Sequence, residues 1–547
     1  MPTIECNVND LNKLLGKDYS IEELRELVNF AIAEIDAVEG DTLKIDVKTS
    51  NRPDLWSVEG IARAIVGRIG TQKGIPKIEI KKGNNQIIVE ESIAKVRPFI
   101  AAAIAKNVEI SEEFLIQLIQ LQEKVDGSFG RKREHESIGI YDFDKIVFPI
   151  TYKAVKPESI TFLPLNYETQ LNLEQILERH PKGKEYAHLL KQFNEYPILI
   201  DGKKQVLSFP PIINSQHSGK VTTQTKNLFI EVTGLNQNMV LTALNVLTQA
   251  LSDRGASIES IKCVYGKKTI ETPDFSPKKI ELTLEEVNDL SGLNLTQKQA
   301  IDLLEKSRYE AKTDGKKIVA HYPAYRQDIL HSVDAIEDII VSYGYNEVEP
   351  EILKAFTIGK ERNEAKELEI ARDVCIGLEL QEVLTFALTS KETQEKKLNL
   401  KEEEFVELAN PMNASLNVFR KRLTPELLNF LASNQHASFP QKIFELGNCL
   451  SIDLSKETKV AEKNTLCIML SHTKTDFTEI KSHLEAFASN YGIQFELKEL
   501  NNEFLINGRS AEISTQFGKG FIGELSPEVL NNFGIKSKAT VLELPIM

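Results

Sequence analysis

The sequence is poor in the residue patterns that build disulfide frameworks and zinc sites. Its 547 residues include five cysteines, which stand far apart and form no CxxC pair, and nine scattered histidines, which form no HExxH motif. Disulfide-rich secreted scaffolds and zinc-ribbon proteins are therefore excluded, and we expect the chain in a reducing cytoplasm.

Long apolar runs and surplus positive charge are missing as well. No apolar stretch is long enough to cross a membrane, and the polar start MPTIECNVND predicts no signal peptide. The 66 basic residues are outnumbered by 80 acidic ones, which gives a formal net charge of −14. A chain that holds a nucleic acid alone is expected to be basic, so this chain either avoids nucleic acid or shares that task with a basic partner.

What remains is an ordinary globular composition, 41% hydrophobic and 27% charged, with a length typical of about three or four domains. The pattern of strands and helices predicts an α+β multidomain protein. We expect a first small module over 1–90, a mixed α/β region over 91–272, a second small module over 273–352, and a region over 353–547 in which β-rich segments alternate with helices.

The two small modules are copies of each other. IECNVNDLNKLLG at 4–16 matches IELTLEEVNDLSG at 280–292, and Ser20 and Thr296 follow as predicted N-caps of equivalent helices. The segments NRPDLWSVEGIARAI and YRQDILHSVDAIEDII also correspond. So many matches in one order indicate a duplicated module of about 80 residues, not a solenoid.

Only the second copy carries a cluster of acids. Asp334, Glu337 and Asp338 share one face of a predicted helix, and Asp328 lies shortly before it. Like charges four residues apart destabilise a helix by about 0.2–0.5 kcal/mol, so something should offset them. A solvated face, a basic partner surface and a hard cation such as Mg²⁺ are all compatible with this spacing.

The first copy shows that the scaffold forms without these acids. It has Ala62 and Arg63 where the second copy has Glu337 and Asp338. We expect Arg63 to pair with Glu59 four residues earlier on the same helix. The acids of the second copy therefore point to a specific role.

In this order the pieces resemble the β subunit of phenylalanyl-tRNA synthetase, in the shorter form typical of archaea and eukaryotes. The resemblance covers essentially the whole chain. It is carried by NRPDLWSVEGIARAI, ESIGIYDFDKI, SFPPIINS, NLFIEVTG, PAYRQDILHSVDAIEDIIVSYGYNEVEP, NPMNASLNVFRKRLTPELL and FIGELSPEVL. Each segment alone is a weak sign, but all of them in the family's order are a strong one.

The resemblance implies a phenylalanine–tRNA ligase, an (αβ)₂ heterotetramer that attaches phenylalanine to tRNA(Phe) through an adenylate made from ATP. The α subunit would hold the synthetic site, and phenylalanine and ATP would bind mainly to it. The duplicated modules would be small helical domains that flank an editing-like domain. Residues 353–547 would form a class II synthetase-like antiparallel sheet module without catalytic motifs.

The sequence of the last region agrees with lost chemistry. Adenylation in class II enzymes needs an FRxE strand, but residues 419–422 read FRKR, and the closing stretch GKGFIGELSPEVLNNFGI contains no arginine. We therefore expect Arg420 and Arg422 to support the structure rather than to hold phosphate.

The resemblance also assigns a metal site. A Mg²⁺ ion shared with the α subunit would be bound by Asp328, Asp334, Glu337 and Asp338, whose oxygens suit a hard cation. Arg326 is expected to pair with a nearby acid rather than to act in catalysis.

The region 91–272 resembles the family's editing domain, which hydrolyses tyrosine wrongly attached to the tRNA. The editing pocket would be formed by Leu199, Ser208, Glu231 and Thr233, with Glu231 accepting a hydrogen bond from the tyrosine phenol. Ordinary strand packing explains Leu199 and Thr233 equally well. No Ser-His-Asp arrangement is evident, so we expect a water to attack with help from the tRNA 3′ end.

Some interpretations stay open. Tyr141, Phe143 and the basic run 131–133 either meet tRNA or form a solvated loop. The chain is alternatively a scaffold subunit without chemistry, or a metal-dependent phosphotransferase that uses the four acids. The phosphotransferase is disfavoured because no GxxxxGK[ST] loop accompanies the acids.

Overall fold

The structure is a computed structural model that describes residues 2–353 and 355–547. It divides into two compact units, of which the first ends at Glu351 and the second begins at Ile352. Across the described residues, no helix has the length and apolar character needed to cross a membrane. The prediction of a mixed α and β protein with several sheets is confirmed.

The first small module is an antiparallel three-stranded sheet with helices packed on it. Its elements are β1 (Thr3–Asn7), α1 (Val8–Leu15), α2 (Ile21–Leu27), β2 (Ala33–Glu39), β3 (Thr42–Val47) and α3 (Val58–Arg68). The strand order is β1-β3-β2. Leu11, Ile45 and Ile61 are fully buried between the sheet and its helices.

The second small module repeats this plan. Its elements are β17 (Lys278–Thr283), α9 (Leu284–Ser291), α10 (Gln297–Lys306), β18 (Glu310–Asp314), β19 (Lys317–Tyr322) and α11 (Ser332–Tyr343). The strand order is β17-β19-β18, equivalent to that of the first copy. Both predicted N-caps are confirmed, since Ser20 and Thr296 each form a capping box with the residue three positions later.

The region between the copies is built on one large sheet. Its elements are β4 (Ile80–Lys81), β5 (Gln86–Val89), β6 (Phe99–Lys106), α4 (Glu112–Lys124), β7 (Glu136–Asp142), β8 (Ile150–Val155), β9 (Thr161–Phe162), β10 (Leu171–Asn172), α5 (Leu173–Arg179), α6 (Pro181–Tyr186), β11 (Tyr196–Ile200), β12 (Val206–Phe209), β13 (Ile213–Asn214), α7 (Gln216–Gly219), β14 (Leu228–Gly234), α8 (Gln237–Asp253), β15 (Ser257–Tyr265) and β16 (Lys268–Thr272). The sheet has the order β13-β12-β11-β8-β5-β15-β6-β14-β7, with β4 and β16 also paired to β15, while β9 and β10 form a separate ribbon.

The large sheet reaches back into the segment assigned to the first copy. Strands β4 and β5 lie within 1–90, but both pair in parallel with β15 of the middle region. One strand in from the β7 edge, β14 is the sheet's most buried strand, because β6 and β7 flank it and α8 covers one face. This placement buries the side chains of Glu231 and Thr233.

The second unit is a seven-stranded sheet with a core on each face. Its elements are α12 (Asn363–Gly377), β20 (Gln381–Glu382), β21 (Leu388–Thr389), α13 (Lys391–Gln394), β22 (Val418–Phe419), α14 (Thr424–Ser433), β23 (Gln441–Ile452), β24 (Val460–Ser471), α15 (Phe477–Tyr491), β25 (Glu496–Glu499), β26 (Leu505–Thr515), β27 (Gly518–Leu525), α16 (Pro527–Asn532) and β28 (Ala539–Pro545). The sheet order is β20-β23-β24-β28-β27-β26-β25, antiparallel except for the short β20–β23 pair. Helices α12 and α15 pack on one face, and α14 and α16 on the other.

Candidate functional site

A cavity of about 770 Å³ lies in the middle region beside β7, β12 and β14. Apolar side chains form much of its wall, among them Leu118 of α4, Ile140 of β7 and Ile212. Polar and charged side chains form the rest of the wall, among them Ser208 and Glu231, which lie on separate strands. A cavity that combines apolar walls with convergent polar groups is the usual form of a small-molecule site.

Glu231 is the buried acid of this cavity. Its side chain is 3% exposed, and its Oε1 accepts a hydrogen bond of 2.8 Å from the Tyr141 hydroxyl. Its Oε2 has no hydrogen-bond partner. Burial raises the pKa of Glu231 to about 7, although the Tyr141 hydrogen bond and the charge of Arg97 act in the opposite direction. Because buried polar atoms normally have hydrogen-bond partners, an unpaired carboxylate oxygen at a cavity is a candidate acceptor for a donor group of a ligand.

Ser208 provides the second unpaired polar atom. It is 1% exposed, and its hydroxyl has no partner with hydrogen-bond geometry, although it lies close enough to the Tyr141 phenol to oppose the rise in the pKa of Tyr141 that burial causes. Because a hydroxyl both donates and accepts, Ser208 and Glu231 together can satisfy one ligand hydroxyl. The structure therefore brings these two of the four predicted pocket residues to the same cavity.

The other two predicted residues lie behind the cavity wall. Leu199 is opposite Ser208 in the β11–β12 pair, where its fully buried side chain packs in the core of the region. The Thr233 hydroxyl accepts a hydrogen bond of 3.1 Å from Arg97 Nε and lies 3.3 Å from the hydroxyl of Ser137, which does line the cavity. Leu199 and Thr233 therefore do not line the cavity but contact residues that do.

For Tyr141, both interpretations left open by the sequence, a tRNA contact and a solvated loop, were wrong. Tyr141 is fully buried, and its hydroxyl donates a hydrogen bond to Glu231. Gly139 and Tyr141 alternate on one face of β7, and Gly139 lies directly opposite Glu231 across the strand pair. The two-residue spacing that puts Gly139 and Tyr141 on one face of β7 is visible in the sequence, but the pairing of β7 with β14 is not.

The basic run beside the cavity divides into exposed and fixed members. Arg131 and Lys132 are exposed. Arg133 lines the cavity, donates to the carbonyls of Pro211 and Ile212 at 3.2 and 3.0 Å, and stacks over the Tyr186 ring. One cation of the run is thus part of the cavity wall.

The four acids of the second copy lie in different environments. Asp338 is buried, where Oδ1 accepts from Arg68 at 2.8 Å and Oδ2 accepts from Arg326 at 2.8 Å and Tyr309 at 2.7 Å. Burial alone would raise the pKa of Asp338, but the nearby guanidinium groups hold it below its usual range. The expected pairing of Arg326 with a nearby acid is confirmed.

The remaining acids have different surroundings. Asp328 accepts two hydrogen bonds from Arg326, at 2.7 and 2.5 Å. Asp334 Oδ2 caps α11 by accepting from the backbone N–H groups of Leu330 and His331. Partial burial raises the pKa of Glu337, and the negative charges of Asp338, Asp334 and Asp328 raise it further.

A hard cation fits this donor set only in part. Both oxygens of Asp328 and of Asp338 already have donors, which leaves Glu337 and one oxygen of Asp334 as the available ligands. Among the residues that the structure describes, no group of three or more His, Cys, Asp or Glu side chains is arranged to hold a metal ion. The four-ligand site stays a prediction.

The expected pair between Arg63 and Glu59 was wrong. Arg63 pairs with Asp253, and Glu59 pairs with Arg254, both at the end of α8. Arg63 and Glu59 do not pair with each other because α8 packs against α3 and places an opposite charge beside each of them. Buried ion pairs across the packing contact replace a surface pair along the helix.

In the second unit, the two arginines of the FRKR strand are held by acids. Arg420 is 5% exposed and bonds Glu445 at 2.6 Å and the Thr385 hydroxyl at 2.9 Å. Arg422 forms two bonds with Glu403, at 2.9 and 3.0 Å. Their guanidinium groups are engaged within the unit, as the sequence interpretation of a structural role expects.

Three family models match successive parts of the chain. The B3/4 domain matches 108–254, the tRNA synthetase B5 domain matches 280–345, and the phenylalanyl tRNA synthetase beta chain CLM domain matches 348–546. The chain is therefore of the aminoacyl-tRNA synthetase class.

The phenylalanine–tRNA ligase beta subunits of Pyrococcus horikoshii and Thermococcus sibiricus are 44% and 41% identical to this chain over 551 and 549 aligned residues. These alignments span 100% of this chain and 99% and 98% of the two relatives. The chain belongs to the family of phenylalanine–tRNA ligase beta subunits, and the resemblance noted in its sequence is confirmed.

One solved structure supports the fold of the first unit. The crystal structure of an N-terminal fragment of the Pyrococcus horikoshii phenylalanyl-tRNA synthetase beta subunit is 46% identical and matches with a TM-score of 0.62. The match covers 63% of this chain and 100% of the fragment.

Proposed function

We propose that this chain serves as the non-synthetic subunit of a phenylalanine–tRNA ligase and removes tyrosine from mischarged tRNA(Phe) in the cavity beside Glu231. An α subunit supplies the ATP-dependent attachment of phenylalanine. In this proposal the duplicated modules over 1–90 and 273–352 flank an editing domain over 91–272, and residues 353–547 form a class II synthetase-like module without catalytic motifs.

The observation that carries the editing proposal is the pair of unpaired buried polar atoms, Glu231 Oε2 and Ser208 Oγ, at one apolar cavity. A tyrosine phenol can donate to the first and accept from the second. Phenylalanine would leave both atoms without partners in a buried site, at a cost of about 1–3 kcal/mol for each. Since a purely apolar pocket rejects an added hydroxyl weakly, a second site of this polarity supplies the missing discrimination.

The hydrolytic step needs little from the chain beyond positioning. The Ser215 hydroxyl lies 3.1 Å from Ser218, and His217 is exposed, so these residues do not form a nucleophile–base pair. A water that attacks the ester, with help from the tRNA 3′ end, remains part of the proposal. The cavity's task is to hold the aromatic side chain so that the ester stays in place.

The test is Glu231→Ala in the complex of the full chain with its α subunit. We expect phenylalanine attachment to stay near normal while Tyr-tRNA(Phe) accumulates. Glu271→Ala is the matched control, because Glu271 lies in the same sheet but not at the cavity and accepts a bond from Ser260. Clearance of Tyr-tRNA(Phe) by Glu231→Ala at the normal rate would overturn the assignment and leave a scaffold subunit without chemistry.

Exposed apolar side chains in the second unit support a contact with the α subunit within the proposed (αβ)₂ assembly. Leu384 and Phe386 are 80% and 81% exposed on a loop beside the sheet, and Phe356 and Met412 are also fully accessible. Large accessible apolar groups of this kind are typical of partner surfaces. We assign them to the α subunit, because a beta subunit of this family implies an α-subunit partner.

A Mg²⁺ ion shared with the α subunit, at Asp328, Asp334, Glu337 and Asp338, also belongs to the proposal. Mg²⁺ would neutralise the repulsion that raises the pKa of Glu337. In this chain alone, Glu337 and Asp334 are the ligands free to hold it, and Arg326 and Arg68 compete for Asp328 and Asp338. The ion would bring positive charge to the subunit border.

A further inference from the structure

Glu231 lines the cavity, and its two oxygens differ in their hydrogen bonding. The Tyr141 hydroxyl donates to Oε1 at 2.8 Å, while Oε2 is unpaired. Tyr141 is not a surface residue that swings in and out, because it is fully buried and packs against Phe229 with ring centroids 5.5 Å apart. The bond is a fixed part of the wall.

Gly139 makes this bond possible. It lies directly opposite Glu231 in the β7–β14 pair. A Cβ at this position would lie 2.5 Å from Glu231 Oε1 and closer still to the Tyr141 hydroxyl. Any larger residue at 139 must therefore displace the phenol, the carboxylate or both. The glycine is required for the close approach and not for an unusual backbone angle.

We propose that Tyr141 is a positioning residue for tyrosine recognition: seated over Gly139, it occupies Oε1 of Glu231 and thereby fixes Oε2 as the single acceptor for the ligand's phenol. This inference rests on the proposed function of the cavity. Tyr141 would then determine specificity without touching the ligand. Its phenol and the phenol of the selected tyrosine would each donate to one oxygen of Glu231.

The charge state of Glu231 is part of this role. The ligand phenol donates best to an ionised carboxylate, and the Tyr141 bond favours the ionised form over the neutral one. Among the other charged or titratable groups around Glu231, Arg97 favours ionisation of its carboxyl and Asp126 opposes it. The negative charge of Glu231 in turn raises the pKa of Glu136 and of Tyr152. Burial is the largest influence and raises the pKa of Glu231 to about 7. Tyr141 therefore keeps Glu231 ionised in part of the neutral range.

The test is Tyr141→Phe in the complex with the α subunit, with deacylation of preformed Tyr-tRNA(Phe) and Phe-tRNA(Phe) measured across pH 5.5 to about 9. We expect the preference for the tyrosyl ester to fall about tenfold at neutral pH, because a hydrogen bond to a charged group is lost. We also expect the rising limb of the pH profile to move to higher pH, because Glu231 becomes harder to ionise. Phenylalanine attachment by the complex should not change.

Two further variants separate positioning from general damage. Gly139→Ala keeps the phenol but crowds the bond, and it should reproduce both changes. Tyr265→Phe removes a hydroxyl from the same sheet that bonds the backbone of Ile100 and not Glu231, so it should reproduce neither. Loss of selectivity without a shifted pH profile would indicate structural damage only and would overturn the positioning role.

The outcomes also separate this inference from the proposed function. If Glu231→Gln abolishes the preference for the tyrosyl ester while Tyr141→Phe retains both the wild-type preference and the wild-type pH profile, the role of Tyr141 fails and the editing cavity stands. If Glu231→Gln leaves the preference unchanged, the editing assignment itself fails.

Discussion

Arg52 of the first copy lies 3.7 Å from Asp328 of the second, so the duplicated modules reach into each other's ion pairs. Each copy repeats the same motif: Arg52 grips Asp54 through two bonds of 2.8 and 2.7 Å, and Arg326 grips Asp328 through two bonds of 2.7 and 2.5 Å. Planar guanidinium–carboxylate pairs of this kind are rigid and directional. The duplication is thus built into one buried network in the first unit.

Asp338 is the acid on which that network depends, and its loss should destabilise the first unit. Asp338→Asn leaves Arg68 and Arg326 without their shared counter-charge in a buried site, which costs about 3–5 kcal/mol. Denaturant unfolding of the full chain measures this cost. The pKa of Asp338 lies below its usual range, so its stabilisation is present above the ordinary aspartate value and disappears as pH falls through the lowered one.

The control for Asp338→Asn is Asp302→Asn, which removes an acid of the same module. Asp302 is 42% exposed at its side chain and pairs with Lys73 and Lys306 at the surface. We expect a change of less than about 1 kcal/mol. Equal losses from both variants would contradict the account of a buried network.

The sequence predicted the duplication, the caps at Ser20 and Thr296, and the family, because these depend on local patterns that recur in order. It did not predict which acids of the second copy face inward. That outcome depends on Arg68, which is remote in the sequence and reaches Asp338 only because α3 packs near α11 in the folded unit. Spacing along a helix specifies a shared face, but not what covers it.

The same limit applies to the cavity. Glu231 and Ser208 were predicted through the resemblance, and the structure places both at one cavity. Tyr141 was missed because its role arises from a strand pairing, with Gly139 opposite Glu231, that the sequence of one strand does not show. The exchange of partners between Arg63 and Glu59 was missed for the equivalent reason, since their partners lie on α8.

Ionisation of Glu231 should make the first unit less stable as pH rises. Its pKa in the folded chain is about 7, above the ordinary value of 4.5, so folding favours the neutral form. The stabilisation is complete below pH 4.5 and is lost as pH rises through about 7, by roughly 3 kcal/mol in total. Glu231→Gln removes this contribution.

The measurement is the difference in unfolding free energy between wild type and Glu231→Gln, taken at a series of pH values from 4 to about 8.5. Subtraction is needed because burial also raises the pKa of Asp126 to about 7, and Asp126 titrates in both proteins. A difference that does not change with pH would show that Glu231 keeps an ordinary pKa.

Divalent cation binding should depend on Glu337 in the complex with the α subunit. Glu337→Gln removes one of the two carboxylates free to bind an ion, so we expect Mn²⁺ affinity, followed by the loss of its free EPR signal, to fall at least about tenfold. The variant needs no Mg²⁺ to fold, because the repulsion from Asp334 and Asp338 is relieved by the substitution itself.

Glu347→Gln is the control for this experiment, since Glu347 lies in the turn that follows α11 and outside the acid cluster. It should bind Mn²⁺ as wild type does. Unchanged affinity in Glu337→Gln would exclude this carboxylate from the metal site and favour an acidic face that pairs with basic residues of the partner.

Association with the α subunit should depend on the exposed loop that carries Leu384 and Phe386. Phe386→Asp places a charge on an apolar surface that the proposal buries in the complex, so we expect at least a hundredfold weaker association, or about 3 kcal/mol. Sedimentation of the purified subunits at several concentrations measures the change.

Leu454→Asp is the matched control, because Leu454 is 78% exposed in the turn between β23 and β24. If Phe386→Asp associates as tightly as Leu454→Asp and wild type, the α subunit docks elsewhere on the chain. A loss confined to Phe386→Asp, with unchanged unfolding of the isolated chain, assigns the loop to the subunit interface.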